Sequence, residues 1–202
     1  MVYVNDFSGK TDDEIINNAI NNRDKDGIVV ISPRVCKTEP ERDFWLLDNA
    51  ILLPSDTTVI LKNCKIKLSD KCRDNFFRSA NCGLYNGDPE IITNIHIIGE
   101  GRALLEGADH PRSTGDSGKL LYAPCPHDEK DILAFGGWIS EEEKKNGKVN
   151  RGNFHSHSYG TDFDKDGESK KGDWRNIGVL FANVEYFSIE NLTIKDSHCW
   201  AI

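Results

Sequence analysis

Long apolar runs are missing from this 202-residue chain. None approaches the roughly 20 residues that a membrane-crossing helix needs. The opening Met1-Val2-Tyr3-Val4-Asn5-Asp6 has neither the basic segment nor the apolar core of a secretion signal. As written, the chain is expected in the cytoplasm, or outside it as a mature protein whose leader has been removed. Positive charge is also in deficit. Against 33 Asp and Glu stand 25 Lys and Arg, a net charge of −8. Such a surface repels phosphate backbones and argues against nucleic acid as a partner. It would attract an acidic polymer only through a local basic pocket. The six cysteines (Cys36, Cys64, Cys72, Cys82, Cys125 and Cys199) form no CxxC pair and no Cys/His metal spacing. A chain of this length does not need disulfides, so they read mostly as reduced core or surface thiols.

What is present suffices for a core. The chain has four Trp and nine Phe, too much apolar material for global disorder. The first forty residues read strand, helix, strand. Thr11-Asp12-Asp13-Glu14 has the form of a capping box, in which the Thr11 hydroxyl accepts from the Glu14 amide and the Glu14 carboxylate answers the Thr11 amide. Two early acids suit the positive end of a helix dipole. Ile15, Ile16, Ala19 and Ile20 then form one stripe at helical spacing, predicting an amphipathic helix over 11–22. Asp26-Gly27 makes a turn, and Ile28-Val29-Val30-Ile31 a buried strand stopped by Ser32-Pro33.

A pattern of apolar residues at alternate positions ending in Asn or Gly then recurs. Val59, Leu61 and Asn63 fit it, as do Ile95, Ile97 and Gly99, and Phe187, Ile189 and Asn191. More apolar residues follow each copy: Ile66 and Leu68, Leu104 and Leu105, Leu192 and Ile194. Period-two alternation describes a strand with one apolar face. Asn and Gly mark the bend, because both tolerate left-handed backbone angles. Strands that turn and restart are the unit of a β-solenoid, in which stacked turns bury one continuous column. An ordinary β-sandwich with similar alternation is the competing reading. The helix would cap the open end of the stack. Arg73-Asp74-Asn75-Phe76-Phe77-Arg78, an aromatic pair flanked by charge, reads as a corner. From about Ala108 to Asn176 the chain turns rich in Gly, Asp, Lys, Ser and His, with interspersed aromatics. This stretch is expected to be an ordered insertion leaving the wall.

Two segments carry a family resemblance. Val4-Asn5-Asp6-Phe7-Ser8-Gly9-Lys10-Thr11-Asp12-Asp13, with the helix and strand after it, resembles the opening of pectate-lyase-superfamily proteins. Ile177 to Val184, then Phe187-Ser188-Ile189-Glu190-Asn191-Leu192-Thr193-Ile194 and Lys195-Asp196-Ser197-His198-Cys199-Trp200-Ala201-Ile202, is similar to one coil of polygalacturonase-like glycoside hydrolases of family 28. The resemblance implies an all-β, right-handed parallel β-helix over 1–202 and acid/base hydrolysis of pectin or a related polysaccharide, with inversion. That family's acid–base signature follows this coil as Asn-Thr-Asp, Asp-Asp, Gly-His-Gly and Arg-Ile-Lys segments. They are expected beyond Ile202. Asp12-Asp13 is the only Asp pair here, and its place is the start of a helix, so no catalytic residue is assigned and this chain alone is expected to be inactive.

Binding residues are sought in and beside the insertion. Asp109, His110 and Arg112 follow a strand, and Arg112 can meet a carboxylate in forked geometry or make a surface ion pair. His155 and His157 lie on one side of an extended segment ending at Tyr159, where they can line a sugar groove, ligate a metal or pack in an ordinary loop. Trp174 can stack on a sugar ring or pack against the wall. Asp162, Asp164 and Asp166, with Gly167 and Asp173, have the spacing of a calcium loop. A solvated loop of mixed charge is the alternative, and calcium is not required. His96 and His127 read as structural or exposed. The expected partner is a polysaccharide or oligosaccharide, with neither membrane nor nucleic acid, and self-association is open. Two other readings share the architecture: a non-catalytic adhesin or tailspike, and a polysaccharide lyase.

Overall fold

The computed structural model describes residues 1–36, 38–69, 72, 75–82, 89–109, 178–197 and 201–202. The helix forms where its stripe and cap place it. Thr11 is extended, its Oγ1 accepts from the Glu14 amide at 3.3 Å, and helix α1 runs Asp12–Asn21. The return bond differs from expectation by one residue: the Glu14 carboxylate accepts from the Lys10 amide at 2.8 Å. Gly9 explains the shift. It lies so close to the first turn that a Cβ there would stand 3.0 Å from Glu14 Cβ, which brings the Lys10 amide within reach. Ile16, Ala19 and Ile20 are fully buried.

The described strands are β1 (Val2–Tyr3), β2 (Ile28–Ile31), β3 (Trp45–Leu47), β4 (Ile51–Leu53), β5 (Thr57–Lys62), β6 (Lys65–Leu68), β7 (Phe77–Ser79), β8 (Ile92–Glu100), β9 (Leu104–Glu106), β10 (Val179–Leu180), β11 (Val184–Glu190) and β12 (Thr193–Lys195). They form three sheets, ordered β1-β2-β5-β8-β11, β12-β9-β6-β3 and β10-β7-β4. Every pairing among these strands is parallel. From β2 onward, successive described strands visit the five-, four- and three-stranded sheets in rotation. The protein is thus mostly β and parallel. Parallel neighbours need a crossover, and here the other two sheets supply it.

The core is a set of columns set by register. Val29, Val59, Ile97 and Ile189 stand side by side in one sheet, Trp45, Ile66, Leu105 and Ile194 in the next, and Ile51, Phe77 and Val179 in the third. All join one apolar cluster. Aligning the repeated pattern residue for residue would set Val59 beside Ile95, whereas the structure sets it beside Ile97. A shift of two keeps the same side chains inward, so alternation alone does not distinguish the registers. The expected corner at Phe76-Phe77-Arg78 is also corrected. Phe77 and Arg78 lie in β7, and both aromatic side chains are buried.

Bends recur at both ends of the strands. Asn63 and Gly101 extend the β5–β8 register and both have positive φ, 49° and 67°. Asn191, φ 57°, turns the chain between β11 and β12. Asp56, Asn94 and Tyr186 form a second left-handed row just before the residues that pair as Thr57, Ile95 and Phe187.

Helix α1 packs on β2, β3 and β4. Since β3 and β4 are the outermost strands of their sheets, it covers that end of the apolar column. Asp12 and Asp13, assigned from sequence to the helix start alone, do more. Asp12 accepts from Leu46 N–H at 2.8 Å and from two arginines, and Asp13 accepts from Asn49 Nδ2 at 3.2 Å. Their carboxylates fasten the helix to the strand beneath it.

Candidate functional site

The four-stranded sheet turns Ile66, Leu105 and Ile194 inward, so alternation turns Lys67, Glu106 and Lys195 outward in one row. Glu106 is the hub. Its Oε1 lies 3.2 Å from Lys67 Nζ and 3.8 Å from Lys65 Nζ, and its Oε2 lies 3.9 Å from Lys195 Nζ. Lys67 also donates to Asp109 Oδ1 at 2.7 Å. Burial works to lower the Lys67 pKa, but its bonds to Asp109 and Glu106 outweigh that and raise it above the ordinary lysine value. The Lys195 ammonium is raised as well, chiefly by its bond to Asp196.

At the β3 side of this face stands an aromatic ring. Phe44 has Lys65 Nζ 4.6 Å and the Arg42 guanidinium carbon 5.7 Å from its centroid, within cation–π range. Thus Arg42, Lys65, Lys67 and Lys195 share one stretch of surface with Glu106 and Asp109. For a chain carrying −8 overall, this face is locally rich in cations. It can present ammonium donors, carboxylate acceptors and an apolar ring to a polar ligand.

Of the residues singled out from sequence, Asp109 lies at this face, with its side chain 68% exposed and paired with Lys67. Its neighbour Ala108 still packs on the core, so the wall extends through the expected start of the insertion. His110, Arg112, His155, His157, Tyr159 and Trp174 lie outside the described residues, as do Asp162, Asp164, Asp166 and Asp173 of the proposed calcium loop. Among the described residues, no group of three or more His, Cys, Asp or Glu is placed to hold a metal ion. None of their helices is long and apolar enough to cross a membrane. Sequence reasoning missed Phe44, Lys65, Lys67, Glu106 and Lys195. The signal was the outward half of the alternation, as in Lys65-Ile66-Lys67-Leu68.

His96 is structural. Its Nδ1 lies 2.9 Å from Ser188 Oγ and its Nε2 2.9 Å from Asn94 Oδ1, which joins β8 to β11 on the outside of the five-stranded sheet. Of the cysteines, Cys64, Cys72 and Cys82 are buried, and Cys36 is half-exposed.

No match was found. This holds for family models, for curated proteins and for solved structures alike.

Proposed function

We propose that the chain is a right-handed parallel β-helix whose four-stranded sheet holds a polysaccharide on its outer face. The observation that carries this reading is the convergence of Lys65, Lys67 and Lys195 on Glu106, beside Phe44, on an otherwise acidic protein. The rotation of successive strands through three parallel sheets supports the architecture. Such a wall offers a chain-like ligand a long row of equivalent positions. The sequence resemblance to polygalacturonase-like hydrolases suggests the ligand class, a pectin-like polymer, and the reaction of the whole enzyme, hydrolysis by paired carboxyl groups.

A binding role for this particular face is favoured by its ion pairs. Glycoside hydrolysis needs one carboxyl group to give a proton and another to take one or attack. Glu106 and Asp109 instead share the Lys67 ammonium, an arrangement for holding charge rather than moving protons. The site therefore binds, and a catalytic pair is not assigned to it.

Calorimetric titration with polygalacturonate and with a neutral glucan tests the assignment. Lys65→Ala and Lys195→Ala should each weaken polygalacturonate binding about tenfold, the loss of one charge-assisted hydrogen bond. Unchanged affinity in both variants rules out this face. Reducing ends released by the chain, and lost in Glu106→Gln, would make the site catalytic and overturn the binding role.

A further inference from the structure

The bridge through His96 that ties β8 to β11 has a direction as well as a length. It begins at Asp56, just before β5. The Asp56 amide donates to the Thr93 carbonyl at 3.0 Å, and its own carbonyl accepts from Arg23 Nε at 3.3 Å. Asn94 Nδ2 donates to Asp56 Oδ1 at 2.9 Å. An ionised carboxylate only accepts, so the Asn94 amide is held with its Oδ1 toward the ring of His96. That oxygen lies 2.9 Å from His96 Nε2 and, being a carbonyl oxygen, takes a donor there. The neutral ring therefore carries its proton on Nε2 and leaves Nδ1 bare. Nδ1 lies 2.9 Å from Ser188 Oγ, so the Ser188 hydroxyl donates to it. A hydroxyl held by an imidazole base, itself oriented by a third group, is the arrangement of an activated serine.

Register builds this relay. Asp56 and Asn94 belong to the left-handed row, with φ of 56° and 62°, and both are exposed. Thr58, His96 and Ser188 are partners across β5, β8 and β11, and they face out from the five-stranded sheet. Two positions further along each strand, about 7 Å away, the outward row is apolar. Val30, Ile60 and Ile98 stand side by side there, the first buried and the two isoleucines half-buried. Among the described strands β11 pairs only with β8, so its other edge carries main-chain N–H groups without a strand partner. Donors of this kind hold the oxyanion of acyl transfer. None of these residues belongs to the face around Glu106.

We propose that Ser188 is the nucleophile of an esterase site on the outer face of the five-stranded sheet, with His96 as its base and Asn94 and Asp56 as positioning residues. Its substrates are carboxylic esters with a short apolar acyl chain, which lies on Ile60 and Ile98. Ser188 Oγ attacks the ester carbonyl carbon as its proton passes to His96 Nδ1. The tetrahedral intermediate expels the alcohol, which takes that proton, and an acyl group is left on Ser188. Water then attacks the acyl carbon and gives a proton to Nδ1. Collapse returns the proton to Ser188 Oγ and releases the carboxylic acid.

The test incubates the full chain with p-nitrophenyl butyrate at about pH 8, follows nitrophenolate release and locates acyl groups by peptide mass spectrometry. The acyl group is expected on Ser188, and release should fall at least about a hundredfold in Ser188→Ala and in His96→Ala. Asn94→Gly keeps the left-handed backbone but removes the acceptor, and should lower kcat several-fold at an unchanged KM. Butyrate should turn over faster than acetate, and Ile98→Ser should erase the difference. Nitrogen NMR shifts of the neutral His96 ring should show a protonated Nε2 and a bare Nδ1, a preference that weakens in Asn94→Gly. Acyl groups on lysines alone, or release unchanged in Ser188→Ala, overturn the nucleophile. Equal rates on the two esters overturn the role of the apolar row. A neutral ring protonated on Nδ1 overturns the relay, whether or not His96→Ala folds.

Discussion

A single buried carboxylate carries much of the order at the helix-covered end. Asp12 is 4% exposed and meets two guanidinium groups and the Leu46 amide. Removing one partner of a buried ion pair leaves the others uncompensated, at a cost of about 3–5 kcal/mol. Asp12→Asn is therefore expected to lower the unfolding free energy by an amount in that range, read as a fall in the urea midpoint at an unchanged denaturant slope. At Cys36 the expectation concerns pH. With the thiol drawn down to about 7, the thiolate fraction rises through neutrality. Iodoacetamide alkylation at Cys36 should accordingly climb between about pH 6 and 8 and then level off, whereas an ordinary thiol, near 8.5, climbs later. A midpoint near 8.5 at Cys36 would contradict the contact between its Sγ and Thr38 Oγ1, 3.1 Å away. Neither residue's role could be read from sequence. Asp12 looked like a dipole partner because its arginines lie 22 and 30 positions away, and Cys36 looked like any of six thiols.

Among the elements, bends are the most demanding. Gly101 has a φ of 67°, and a Cβ there would run into Asn63 Oδ1, the atom that accepts from the Arg102 amide at 3.1 Å. Gly101→Ala would thus combine left-handed strain with displacement of a corner bond. It should destabilise by about 1–3 kcal/mol, measured as a drop in the unfolding midpoint. Equal stability would mean the corner can re-form without that bond. The corners at Asn63 and Asn191 were legible, since the apolar-x-apolar-x-Asn/Gly pattern names both residues, but the same pattern names Gly99, which lies within β8, and the chain turns two residues later at Gly101. The helix was legible for a like reason: Thr11, Glu14 and the isoleucine stripe act within a few residues of one another. Register was not. Period two tells inside from outside but is blind to a slip of two, which is how Val59 comes to stand beside Ile97. The charge flanking Phe76 and Phe77 suggested a corner, yet burial of both rings outweighed it. The Lys67–Glu106 contact was hidden too, because only tertiary register brings positions 39 apart into one row.

For the molecule as a whole, the expectation follows from how its columns end. At β2, β5 and β8 the inward residues Val29, Val59 and Ile97 are fully buried, whereas in β11 Phe187 is 53% exposed, its ring edge-on to Phe181 at 5.3 Å. Amide hydrogen exchange should therefore be slowest in β5 and β8 and fastest in β11 and β12; uniform protection would count against the layered core. One further property comes from the strand order. Beyond the pairing of β1 with β2, each described strand bonds only to the strands one full circuit before and after it. Damage to one circuit therefore reaches its two neighbours directly and the rest only through them. On the β-helix proposed above, opening is a boundary that moves, its free energy rising by one increment per circuit rather than all at once. Mutations should be felt according to their distance from that boundary, so that the same apolar truncation weighs more in the β5 circuit than in the β11 circuit even where the lost contacts are alike.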